Sequence, residues 1–162
     1  MGTNELLETY LNDHLAGATA GLDLARRLTE DTEGTPVGAA MQQLADDIEA
    51  DRAVLEDLVG RLGFEEQTVK QAAAWMAEKA SRLRLNRVSA GSDALALLLS
   101  METLSMGVDG KRNLWQSLQE IAVDVPVLAA LDLAGLVERA ESQHAVLEKY
   151  RRAAAPAALG CR

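Results

Sequence analysis

Apolar residues recur every three or four positions along four long stretches of the chain, which is the repeat of an amphipathic helix. The first stripe runs Leu7–Tyr10/Leu11–His14–Ala18–Gly21–Ala25–Leu28, and the second Val37–Met41–Leu44–Ile48–Asp51–Leu55–Leu58–Leu62. A third segment carries two stripes, Leu95–Leu99–Glu102–Met106 and Leu97–Met101–Leu104–Val108, so it is expected to be buried by two neighbours. The fourth stripe is Leu133–Val137–Ala140–His144–Leu147.

The breaks between stripes have recognisable chemistry. Helix one is predicted over Asn4–Glu30 and ends at Asp31-Thr32-Glu33-Gly34. Thr35-Pro36 then supplies an N-cap and a first-turn proline for helix two, which Gly63 closes. A link this short between long helices predicts an antiparallel hairpin. Residues 64–91 hold a shorter amphipathic run, Val69 to Leu83, before Ser89-Ala90-Gly91-Ser92-Asp93 caps helix three. Gly107 and Gly110 are expected to bend or break that helix. Val123-Asp124-Val125-Pro126 interrupts the pattern, and Asp124 or Asp132 caps helix four. The reading is one helical-bundle domain over 1–155 and a frayed tail over 156–162.

Hairpin, long connection, hairpin is the layout of an all-α four-helix bundle with a crossover between helices two and three. Composition agrees: 48% of residues are hydrophobic and only 3% aromatic, a balance that suits helices better than sheets. The net charge of −9 argues against nucleic-acid phosphate or an anionic membrane as partner. No stretch approaches the length of a membrane span, and Gly2 to Glu5 are too polar for a signal peptide. Cys161 is the only cysteine, so no internal disulfide forms and a cytoplasmic location is expected.

Each long helix places an ionisable group on its stripe: His14, Asp51, Glu102 and His144. Buried charge is costly unless it is paired, shifted in pKa or metal-bound, which makes these positions the candidate site. His14 and Asp51 lie nearly equidistant from the turn at Glu33 and should be level across the first hairpin. Glu102 and His144 are level if the second turn lies at Val123. Two imidazoles and two carboxylates suit Zn, Fe or Mn. The same groups also make a metal-free network of His–Asp and His–Glu hydrogen bonds.

Glu141-Ser142-Gln143-His144 spaces two ligands as Glu-x-x-His. With the crossover bundle, this motif resembles the ferritin-like superfamily. The segments Tyr10–Gly17 and Gly107–Lys111 look like those of small bacterial helical proteins assigned that fold. The resemblance implies a di-metal site with one Glu from each of two helices and Glu-x-x-His from each of the other two. Glu102, Glu141 and His144 match; helix one has His14 in place of Glu, and helix two offers Glu49-Ala50-Asp51-Arg52, with Arg where His belongs. The ligand set is about half complete.

The expectation is therefore a non-catalytic binding or structural protein without a complete di-iron site. A homodimer is expected from the apolar excess on helix three and the connection. The alternative is a metalloprotein with a mono- or dinuclear Fe, Mn or Zn site at His14, Asp51, Glu102, Glu141 and His144. Haem held between His14 and His144 is a third reading. The Gly17–Ala18–Gly21–Ala25 stripe predicts close helix packing, and Trp75 and Trp115 are expected to pack the connection or an interface.

Overall fold

A computed structural model describes residues 3–65 and 92–161. Four long helices, α1 (Thr3–Asp31), α2 (Pro36–Arg61), α3 (Asp93–Ile121) and α4 (Leu133–Ala158), are joined by short turns within each hairpin, with a 3₁₀ helix at Pro126–Ala130. There is no strand among the described residues. The expected helix at Val69–Leu83, Trp75 and the cap residues Ser89 to Gly91 lie outside them.

Local chemistry accounts for the helix ends. Thr35 Oγ1 accepts from Gly38 N (3.1 Å), Ser92 Oγ from Leu95 N (3.1 Å) and Asp132 Oδ1 from Gly135 N (3.0 Å), each satisfying an orphan amide of a first turn. Gly63, at φ +71°, ends α2 in a Schellman motif. Phe64 N donates to Val59 O at 3.2 Å and Gly63 N to Gly60 O at 3.0 Å. Gly107 and Gly110 do not break α3, which runs unbroken through both. At the other end, α4 continues through Pro156 to Ala158, where a frayed tail was expected. Ala153–Ala155 favour helix, and a second Schellman motif closes it: Gly160 lies at φ +72° and Cys161 N donates to Pro156 O at 2.8 Å.

The core forms two clusters stacked along the bundle. One gathers Leu11 and Leu15 of α1, Leu55 and Leu58 of α2, Leu114 and Leu118 of α3, and Leu133 and Leu136 of α4. The other gathers Leu22, Ala25 and Leu28, Met41 to Ile48, Leu104 and Val108, and Ala140 and Leu147. Chain direction follows: α1 and α4 run from the first cluster to the second, and α2 and α3 run back. The order is up, down, down, up. The connection after α2 therefore leaves one end of the bundle and enters α3 at the other. Helix α1 packs on α2 and α3, and α4 packs on α3 and α2.

Candidate functional site

Between the two clusters lies a polar layer. Asp51, 1% exposed, sits one turn from both Ile48 and Leu55. Its Oδ2 accepts from Lys111 Nζ at 2.5 Å and from Gln143 Nε2 at 3.1 Å. The Lys111 ammonium also donates to Gln143 Oε1, and the Arg139 guanidinium pairs with Asp51 Oδ1. That contact lacks hydrogen-bond geometry, so Oδ1 has charge compensation without a directed donor. Three helices thus converge on one carboxylate. Burial pulls the Lys111 ammonium below its ordinary value of 10.5, and Asp51 opposes the shift by charge and hydrogen bond.

The layer is made by heptad-like seams. Spacings of three and four residues carry Met41–Leu44–Ile48–Asp51–Leu55–Leu58 on α2 and Met101–Leu104–Val108–Lys111–Trp115–Leu118 on α3. On α4 the seam is Leu133–Leu136–Ala140–Gln143–Leu147. On α1 it passes through Leu11, Leu15, Ala18, Leu22 and Ala25. Where three helices bring polar groups, α1 brings a methyl.

That methyl faces a cavity of about 260 Å³. Asp51, Lys111 and Trp115 form part of its wall, with Gly17, Ala18 and Gly21 along α1. Leu55, Leu104, Val108 and Leu114 make it largely apolar, and the exposed Asp13 and Gly107 stand at its rim. Of the α1 small-residue stripe expected to pack closely, Ala25 is fully buried in the second cluster, whereas Gly17, Ala18 and Gly21 line this cavity. A Cβ at Gly17 would meet nothing within 4 Å, and at Gly21 only the Leu104 Cδ1 at 4.0 Å. The indole of Trp115 is 1% exposed, and its buried Nε1–H has no acceptor among the described residues. Leaving such a donor unpaired costs about 1–3 kcal/mol. Arg52 reaches the same wall, donating from Nε to Thr19 Oγ1 at 3.0 Å and pairing with Glu56.

The sequence-predicted site residues are dispersed. Asp51 is on the seam as expected, but its partners are cations and an amide. His14 lines the cavity with Asp51, lying edge-on to Tyr10 with ring centroids 4.7 Å apart. Burial holds its pKa below 6.5, with Asp13 opposing. Glu102 is half-buried beside Arg151 (3.4 Å), and His144 Nε2 lies 3.7 Å from Asp109 Oδ2. Glu141 is exposed. The His–Asp and His–Glu pairs expected from helix heights are replaced by Asp51–Lys111 and Glu102–Arg151.

These donors do not fit the di-metal centre that a ferritin-like bundle implies. Asp51 and Glu102 already face cations, and among the described residues no three His, Cys, Asp or Glu side chains gather to hold an ion. Lys111 and Gln143 are the residues that sequence reasoning missed. The signal was available, because both continue an unbroken three-and-four spacing of buried positions.

The chain matches no protein-family model, no curated protein and no solved structure.

Proposed function

We propose that this chain is a non-catalytic small-molecule-binding protein, built as a ferritin-like bundle without a complete di-iron site, and that the core cavity is its binding site. The observation that carries the reading is a cavity of about 260 Å³ beside the Asp51–Lys111 pair, along which Gly17 and Gly21 of α1 leave room for a Cβ. Well-packed cores leave few voids larger than a water, and buried donors are nearly always paired. A cavity that breaks the first rule between bundle helices is the default ligand site, and Trp115 breaks the second beside it. The polar layer supports the same reading: its ion pair ties Asp51 of α2 to Lys111 of α3 at the cavity wall.

Amide correlation spectra recorded with small alcohols, acids and amines test this. Shifts confined to residues lining the cavity are expected. Absence of any shift, or shifts scattered over the outer helix faces, would overturn the assignment.

A further inference from the structure

The polar layer holds more positive charge than negative. Asp51 is the one anion shared by Lys111 and Arg139, and Gln143 is neutral. Burial pulls the Lys111 ammonium below its ordinary 10.5 and Arg139 adds to the pull, while Asp51 and Asp47 oppose it. When Lys111 gives up a proton, Asp51 is still balanced by Arg139. An ammonium has three N–H donors, and Lys111 uses two, toward Asp51 Oδ2 and Gln143 Oε1. The neutral amine therefore keeps both bonds and carries a lone pair where the third N–H stood. A lysine desolvated beside a second cation is a recurring way of making an amine nucleophilic. It is also within reach of a small molecule. Lys111 lines the cavity, and its side chain is 12% exposed where that of Asp51 is 1%.

We infer that Lys111 captures a small aldehyde from the cavity as a Schiff base. This names a ligand class for the binding function proposed above and rests on it. The Nζ lone pair adds to the carbonyl carbon and a C–N bond forms. The carbonyl oxygen then leaves as water, carrying two protons that the ammonium held. Ammonium plus aldehyde thus gives iminium plus water, with nothing oxidised or reduced. The nitrogen ends with one N–H and its positive charge, so Asp51 keeps both of its cations. Hydrolysis by the reverse steps releases the aldehyde unchanged, which is reversible binding and not turnover. Size agrees: about 260 Å³ exceeds the ~150 Å³ cavity that holds a benzene, so benzaldehyde has room.

Reductive trapping tests this on the full chain. Benzaldehyde is added near neutral pH with cyanoborohydride, which reduces the imine to a stable secondary amine, and peptide mass mapping reads the lysine that carries it. Lys149, exposed and lying over the Tyr150 ring, is the reference. Lys111 should be labelled several-fold faster than Lys149. Ala18→Leu, which narrows the cavity from α1, should bring Lys111 down to the rate of Lys149 or below and leave Lys149 unaltered. Benzyl alcohol, which has the same ring and no carbonyl, should slow Lys111 alone in the wild-type chain, a check that needs no variant. Labelling of Lys111 no faster than Lys149 would overturn the Schiff base. If benzyl alcohol still shifts the amides of the cavity lining in that case, the binding reading stands; if it shifts none, that reading falls with it. Fast labelling of Lys111 that neither Ala18→Leu nor benzyl alcohol slows would overturn capture from the cavity.

Discussion

Asp51 and Lys111, sixty positions apart in the chain, meet at 2.5 Å between the two halves of the hydrophobic core, with Arg139 on the other carboxylate oxygen. One anion serves two cations there, and the arrangement is asymmetric. Removing the anion strands both cations; removing Lys111 leaves Asp51 paired with Arg139 and hydrogen-bonded to Gln143.

Asp51→Asn should therefore destabilise the fold by about 3–5 kcal/mol, the range for breaking a buried ion pair from one side. Lys111→Met should cost clearly less. Urea denaturation of the two variants against wild type gives the comparison, and equal losses would argue against Asp51 as the shared hub.

The fold was largely legible in the sequence because helix ends are local chemistry. Thr35-Pro36, Gly63, Ser92 and Asp132 do what their side chains or φ values dictate. The site was less legible because it is decided by packing. An apolar stripe on a helix is broad, and adjacent residues lie about 100° apart on it. His14 beside Leu15, Glu102 beside Met101 and His144 beside Gln143 all fall within such a stripe. In each case the neighbour takes the buried position and the ionisable group moves to the flank. Lys111 reads as a surface residue in the sequence. Its long stem lets the ammonium reach Asp51 from a seam position.

His14 should make the protein acid-sensitive over a defined window. Its pKa is lowered in the folded state, first by burial, while Asp13 acts in the opposite sense. Below pH 6.5 the unfolded chain takes up a proton that the folded chain resists, so stability falls as pH drops through that value. Above it both states are neutral and the effect vanishes. Asp51, Arg52 and Lys111 share the cavity wall with His14. Thermal melts between pH 7 and pH 5 should show a shallower decline for His14→Gln than for wild type; parallel declines would exclude this contribution.

Two glycines should respond in opposite directions to the same change. A Cβ at Gly38 would overlap the Thr32 carbonyl oxygen, a backbone atom that cannot swing aside. At Gly60, an exposed position within α2, it would meet nothing within 4 Å. Gly60→Ala should therefore gain up to about 1 kcal/mol from helix propensity. Gly38→Ala should lose stability despite the same propensity gain. Chemical denaturation of the pair checks both signs.

Chelation should leave the fold unaffected. Asp51 and Glu102 face Lys111, Arg139 and Arg151, so their charges are offset without a metal. Protein prepared without a histidine tag should melt at the same temperature before and after dialysis against EDTA. Stoichiometric Fe, Mn or Zn whose removal lowers the melting temperature would restore the metalloprotein reading.

The central claim is that the space lined by Ala18 and Lys111 is a ligand site, and Ala18→Leu addresses it by adding hydrocarbon from α1. The most direct measurement is the pair of amide correlation spectra of wild type and Ala18→Leu, each recorded with the small alcohols, acids and amines. In wild type at least one of these probes should shift the residues that line the cavity; in Ala18→Leu none should. Equal shifts at the lining in both proteins, or none in wild type, would contradict the account.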